Sequence, residues 1–505
     1  MKKKGRDNLQ KSEGGLLTEG TISKKMVAFA VPIFLGMLFQ QLYNTVDTFI
    51  VGNCLGSYAL AAVSSSGNLS MLLVGFFNGL SMGAGVVVAR CYGAKNYEEL
   101  EKTVHTTVAL GLIISVVLAL LGRWLSPILL EMMGTPEEVL PMSNDYFAVY
   151  FTGIFGMVLY NMFAEILRAV GDSKHPLYFL IASSLTNVVL DLLFIEGFGW
   201  GVAGAAMATV ISQALSAALS LWTLTHVKGV HRIVLTHVRI NLHALWQIIR
   251  FGIPTGIQNS IISLANVVVQ SQINAFGPAA MAGCGAYSKL EGFAFLPIMS
   301  FGSAMTTFIG QNLGAAKLER ALRGARFGIT CSVILAELIG VAFFFYGPFF
   351  VSLFDSNPEV IAFGTARAQC DALFYFLLAY SHAVAAVCRG GGKPMVPMVI
   401  MMVFWCAVRV GFLMLTARFH NILYVYWVYP LTWGLSSICF AIYYHSKTWL
   451  RAADTSRKAE PSNRFLESPE TKAEPEADSA DEKPALAFAR EGGRECCCSG
   501  TCRKP

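Results

Sequence analysis

The sequence predicts an all-α integral membrane protein of twelve transmembrane helices, arranged as two six-helix lobes related by a parallel internal repeat. Three observations carry that expectation. Of the 505 residues, 54% are hydrophobic and only 14% are charged, against about 25% charged in soluble domains. The charge is unevenly spread, since the last 55 residues hold 21 of the 70 charged side chains. Apolar runs long enough to span a bilayer recur along the chain, and short motifs return at a near-constant offset. The formal net charge of +6 sits in loops and termini beside apolar runs, where it sets orientation and does not point to nucleic acid.

A helix needs roughly 20 apolar residues to cross the hydrocarbon core. Such stretches fall at 26–51, 59–89, 104–121, 145–167, 177–195, 202–226, 246–273, 280–309, 327–350, 366–388, 396–416 and 421–445. The N-terminus runs Met-Lys-Lys-Lys and lacks a small-residue cleavage site before the first long run, so that run reads as a membrane helix and not a signal peptide. Five loops hold fifteen Lys or Arg, among them Arg90, Lys95, Arg168, Lys174, Arg239, Lys317, Arg389 and Lys393; the loops between them hold only Arg123, Arg367 and Arg418. The positive-inside rule then places the basic loops and both termini in the cytoplasm, with the protein in the cell membrane.

Phe29-Ala30-Val31-Pro32 returns as Phe251-Gly252-Ile253-Pro254, Tyr92-Gly93-Ala94 as Leu313-Gly314-Ala315, and Arg168-Ala169-Val170-Gly171 as Arg389-Gly390-Gly391-Gly392. Six spans per repeat is an even number, so both halves enter from the same side and form parallel repeats. The expected organisation is a cytoplasmic segment 1–20, a first lobe 21–226, a cytoplasmic connector 227–245, a second lobe 246–450 and a disordered cytoplasmic tail 451–505. The connector carries Lys228, Arg232, Arg239, His231, His237 and His243; it reads as a solvated loop that lets the lobes rock, because its spacing matches no His-ligand pattern. The twelve cysteines are scattered singly through apolar runs, apart from Cys496, Cys497, Cys498 and Cys502 in the tail, and form no disulfide framework.

A carboxylate within a span costs a few kcal/mol on insertion scales, so it is expected to face the bundle interior or a water-filled cavity. Asp47 ends a polar stripe on the first span, with Asn44, Tyr43 and Gln40 at helical spacing. Asn187 and Asp191 stand four apart on one face of the fifth span. Thr209 lies on the sixth among small residues that allow close helix approach. Two carboxylates, an amide and a hydroxyl suit a hard cation such as Na⁺, and paired carboxylates also suit proton carriage. A buried network tying the first, fifth and sixth helices together would satisfy the same groups. In the second lobe the seventh span keeps a stripe of Asn259, Ser263, Asn266 and Gln270, but Val269 stands opposite Asp47, and Val408 and Phe412 oppose Asn187 and Asp191. The charge chemistry is therefore expected in the first lobe, with Glu291 and Asp371 as cavity-lining candidates beside Gln40, Tyr43, Asn44, Asn259, Ser263 and Asn266. Glu337, flanked by apolar residues, reads equally as one partner of an isolated interhelical hydrogen bond.

The chain resembles the multidrug and toxic compound extrusion (MATE) family over about residues 18–448. The resemblance rests on Pro32, on the run Gln40-Gln41-Leu42-Tyr43-Asn44-Thr45-Val46-Asp47, on Ala89-Arg90-Cys91-Tyr92-Gly93-Ala94, on Leu167-Arg168-Ala169-Val170-Gly171-Asp172 and on Gly201-Val202-Ala203-Gly204-Ala205-Ala206. It implies an antiporter that expels cationic and amphipathic drug-like molecules in exchange for H⁺ or Na⁺ by alternating access, with no cofactor and no protein partner implied. The family's first-lobe ion site falls on Asp47, Asn187, Asp191 and Thr209. The branch that relies on a glutamate in the seventh helix is not matched, which favours the DinF-like arrangement. A flippase or exporter of lipid-linked or other anionic substrates is the rival within transport; it would be expected to line its cavity with Arg or Lys, and the mid-span positions offer mainly Arg409. An enzyme is not expected, since HExxH and a Cys and His set at membrane depth are missing.

Overall fold

A computed structural model describes residues 17–132 and 138–450. The expected 1–20 segment is thus described only from Leu17, and the tail with its four cysteines lies outside the described residues. Among the described residues every regular element is helical. The first half comprises α1 (Ile22–Leu55), α2 (Ser57–Gly93), α3 (Tyr97–Met132), the pair α4 (Leu140–Thr152) and α5 (Phe155–Ala169), α6 (Lys174–Leu192) and α7 (Gly201–His226). The second comprises α8 (Leu242–Asn274), α9 (Pro278–Gly314), α10 (Leu318–Ser352), the pair α11 (Pro358–Asp371) and α12 (Tyr375–Gly390), the pair α13 (Met395–Met401) and α14 (Arg409–Thr416), and α15 (Ile422–His445). Ten segments are long and apolar enough to cross a membrane, and the α4–α5 pair, bent by 48°, makes eleven. The twelfth span is α8, 33 residues long, whose polar stripe from Gln258 to Gln270 dilutes its hydropathy. Several helices run to 33 or more residues, beyond the roughly 20 that the hydrocarbon core needs, so the apolar runs read from sequence are their membrane-embedded parts.

The backbone repeats as faithfully as the motifs. Left-handed backbone conformations occur at Gly56 and Gly277, at Lys95 and Ala316, at Gly171 and Gly392, and at Gly199 and His420; every pair is 221 residues apart. Gly56 (φ 85°) and Gly277 (φ 95°) each close a one- or three-residue turn between the first and second span of a lobe, a conformation that a Cβ disfavours. The fourth span of each lobe breaks at the equivalent place, at Gly153–Ile154 and at the 3₁₀ turn Ala372–Phe374.

The protein is apolar on its outside as well as in its core. Leu120, Trp124, Leu338, Phe345, Met414 and Ile442 are each 60–70% exposed, as expected where the surrounding medium is hydrocarbon. Without a hydrophobic drive between helices, close approach at small residues holds the bundle together. Between the lobes, α2 runs along α8, with Gly79 against Gly256 and Gly83 against Gly252 so closely that a Cβ on any of the four would overlap the facing backbone. Helix α9 touches both α1 and α2. Gly93 at the end of α2 abuts the Gln311 carbonyl, and Gly314 at the end of α9 abuts the Arg90 carbonyl, a reciprocal pair again related by the 221-residue offset.

The end of the bundle that carries these contacts also carries both ends of the described chain. The Leu17 amide donates to Gln311 Oε1 (2.9 Å), Gln311 Nε2 donates to the Ala169 carbonyl of the first lobe (2.7 Å), and Arg320 donates to the carbonyls of Leu17, Glu19 and Gly20. Trp449 lies against Gly391, and Arg90 against Gly392. This end is sealed. The connector is solvated, with Ile233 its one buried residue between 227 and 241, and it is also docked on α3: the Val234 amide donates to His105 Nε2 (3.0 Å), the Asn241 amide to Thr106 Oγ1 (3.0 Å), and His237 Nδ1 lies 3.2 Å from Glu101. Its backbone donors find side-chain partners on α3, and α8 begins at Leu242 with Asn241 as its cap.

Candidate functional site

The first-lobe polar residues converge where α1, α6 and α7 meet. The face of α6 that carries Ser184, Asn187 and Asp191 is buried, at 7%, 2% and 0% exposure, and a π-helical turn, Leu193–Gly197, follows at once, a form frequent at functional sites. The Asp47 and Asp191 carboxyl groups lie within hydrogen-bonding reach of one another. One turn back on α1, the Tyr43 hydroxyl is in reach of Gln40 and of Gln213 on α7. Thr209 precedes Gln213 by one turn on the same face of α7, which puts it at the level of Asp47; its hydroxyl donates to its own helix at Ala205 (3.1 Å). The Ser183 hydroxyl, donating to the Ser212 carbonyl at 2.7 Å, pins α6 to α7.

What distinguishes this cluster is how much of its polarity has no protein partner. Asp47 Oδ1, both carboxylate oxygens of Asp191, both amide atoms of Asn187, Ser184 Oγ and Gln213 Oε1 are buried without a hydrogen bond. A packing network would satisfy such atoms. Two ionised carboxylates at this separation repel, and a proton or a cation between them removes the repulsion. The donor set, oxygen atoms from two carboxylates, an amide and hydroxyls, fits a hard monovalent cation or a proton.

Sequence reasoning missed Tyr146, Ser184 and Gln213. Tyr146 on α4 is 9% exposed and stacks on Tyr150; it stands in electrostatic range of both Asp47 and Asp191. Of the remaining candidates, Asn44 is exposed on α1 and Ser263 half-buried on α8. Asn259 Nδ2 donates to the Gly75 carbonyl across the lobe boundary (3.3 Å), so the polar stripe of α8 faces the first lobe.

The second lobe corrects two expectations. Arg367, read as a residue of an outward loop, lies inside α11 and is 2% exposed. Arg367 Nε sits 3.3 Å from Asp371, four residues on along the same helix, and Arg367 Nη2 sits 3.4 Å from Glu291 on α9. Asp371 is wholly buried and ion-paired, not open to a cavity, because its helix turns it towards Arg367; Glu291, with 12% of its side chain exposed, stands at the rim. Arg409 is also buried, at 1%. Arg389, in the last turn of α12, is 8% exposed. Glu337 accepts the Phe376 amide at 2.9 Å, the isolated interhelical bond that was one of its two readings.

Comparison with known proteins agrees with this architecture. The family model described as MatE matches twice, over residues 32–193 and 254–413, once in each lobe. The probable multidrug resistance protein YoeA of Bacillus subtilis (strain 168) is 30% identical over 433 residues, covering 84% of this chain and 94% of that protein. The probable multidrug resistance protein YpnP of the same organism is 29% identical over 389 residues, covering 77% and 87%. Among solved structures, the outward-facing conformation of a multidrug resistance MATE family transporter of the MOP superfamily superposes with a TM-score of 0.81, at 23% identity and over 87% of this chain and 98% of that one. A polytopic helical bundle whose two halves each match the same model, and whose polar residues converge between helices at membrane depth, belongs to the MatE family of membrane transporters.

Proposed function

We propose that the protein exports amphipathic, cationic small molecules across the cell membrane in exchange for H⁺ or Na⁺, as a multidrug efflux antiporter. The observation that carries the coupling is the Asp47–Asp191 pair, two carboxyl groups within bonding reach whose buried oxygens have no other protein partner. With the basic loops facing the cytoplasm, the sealed end is cytoplasmic and the conformation is the outward-facing one. In that state the coupling ion enters between Asp47 and Asp191, supported by Asn187 and by Thr209 at the same level of α7. Occupancy removes the repulsion between α1 and α6 and lets α1 repack, which releases substrate outward. The cycle turns only because ion and substrate differ in affinity for the two states. The names of the relatives YoeA and YpnP, probable multidrug resistance proteins, support drug export.

The test is ethidium efflux from proteoliposomes with a pH gradient and a Na⁺ gradient imposed separately, for wild type and Asp47→Asn. Flux driven by one gradient and lost in the variant is expected, and it names the ion. Full flux in a folded Asp47→Asn protein would overturn the assignment. An exporter of anionic or lipid-linked substrates remains the second reading, because Arg367 and Arg409 together place two buried cations in the second lobe.

A further inference from the structure

Arg409 is a buried cation without an ion-pair partner among the described residues. Of the buried arginines of the second lobe, Arg367 takes both Asp371 and Glu291, together with Ser288 and the Cys284 carbonyl. Arg409 is left with neutral groups: Nη2 donates to Thr432 Oγ1 at 3.0 Å, Nη1 to Asn266 Oδ1 at a long 3.3 Å, and Nε has no partner. The rings of Tyr429 and Trp405 lie 4.6 and 5.5 Å from its guanidinium carbon. Cation–π contact offsets part of the cost of burying a charge at membrane depth. It leaves the planar fork of donors, which matches the two oxygens of a carboxylate or phosphate, largely unused.

The local backbone turns this side chain inward. A seven-residue π-helix, Met402–Val408, ends immediately before Arg409. Its wider winding rotates the helix face that follows, so that Arg409 is buried where the repeat alone would have presented Val408 as the counterpart of Asn187. A route to it is also present. Asn266 is exposed, and it lies seven residues, about 10 Å, along the α8 face on which Asn259 reaches the first lobe. The guanidinium is therefore approached past Asn266 from between the lobes.

We infer that Arg409, with Asn266 at its mouth, is a receptor for the acidic group of a substrate, a carboxylate or a phosphate whose aromatic body packs by Tyr429 and Trp405. This deepens the transport reading of the preceding section by adding an anion-recognising subsite in the second lobe to the ion site in the first. It rests on that reading for its physiological meaning. Its test measures binding, so an absence of ion-driven flux would count against the transport reading alone.

The experiment uses the purified full-length protein in detergent and three probes that share one ring system: 1-naphthoate, 1-naphthyl phosphate and the neutral 1-naphthalenemethanol. Isothermal titration is expected to show one or both acids binding at least about tenfold tighter than the neutral probe, and the stronger of the two names the acidic group. Arg409→Gln should abolish that preference. Because this variant leaves a cavity in the core, Asn266→Asp provides a second reading. It sets a carboxylate beside the guanidinium, so affinity for the acids should fall about tenfold while the melting temperature holds or rises. Equal affinity of wild type for all three probes would overturn the inference, as would an undiminished preference for the acids in Asn266→Asp.

Discussion

Asp47 and Asp191 lie so close that the charge between them decides how they coexist. Because the two carboxyls act as one unit, either single Asn substitution should cut ion-driven ethidium efflux by about tenfold or more, and the double variant should lose little beyond the worse single one. Flux assays on the three variants, normalised to protein in the membrane, check this. A second residue whose titration matters lies outside the membrane. Burial pushes the His231 ring down to about 4, whereas an unfolded histidine titrates near ~6.5. The docked connector therefore holds the neutral ring; the stability this contributes is fully present above about pH 6.5 and is lost as the pH falls towards 4. Amide exchange across residues 227–241, corrected for its intrinsic pH dependence, should quicken between pH 7 and pH 5 in wild type and change far less in His231→Phe. At this scale the sequence was legible where spacing carries information: Asn187 and Asp191 share a face whatever the tertiary fold does. Tyr146 and Ser184 were not, because one tyrosine or serine in an apolar run looks like any other until a distant helix faces it. Arg367 was misread for the same reason, since its partner Glu291 is 76 residues away in the chain.

Among the elements, the contact between α2 and α8 is the tightest, and it depends on what its glycines lack. A Cβ at Gly256 would overlap the Phe76 carbonyl, and one at Gly83 would overlap Gly252. Gly256→Val should therefore force the two helices apart and cost about 1–3 kcal/mol, read as a lower melting temperature in detergent, whereas Gly285→Ala on α9, where no atom lies within 4 Å of the added Cβ, should be nearly neutral. All twelve spans are legible as apolar runs, and α8 is the most diluted by polar residues, since a helix that lines a polar gap cannot also be uniformly apolar. The π-helix Met402–Val408 was not legible at all. Its seven residues, Met-Val-Phe-Trp-Cys-Ala-Val, carry no breaker.

For the molecule as a whole, the sealed end brings a strap of chain, Leu17 to Gly20, onto the second lobe before α1 enters the first. Arg320 alone makes bonds to three of its carbonyls. Hydrogen bonds from charged groups contribute about 1.5–3 kcal/mol each, so replacing Arg320 and Gln311 together by Ala should shift the population towards a form in which this end is open. Alkylation of Cys91, which lies beside this seam on α2, reports the shift: in a background with the other cysteines changed to Ser, its rate should rise several-fold in the double variant. The two-lobe plan was legible from six spans per repeat and a constant offset. The docking of the connector on α3 was not, because it depends on Thr106 and His105 meeting backbone amides 129 to 135 residues away.

The reciprocal packing of Gly93 on Gln311 and Gly314 on Arg90 also determines how that end comes apart. The two contacts are images of one another under the same approximate rotation that relates the lobes, and they lie at equivalent ends of two long rods. A rigid tilt of one lobe lengthens both by similar amounts, and neither can be broken while the other stays intact unless α2 or α9 bends. The seal should consequently behave as a toggle, with closed and parted positions and no stable half-way point.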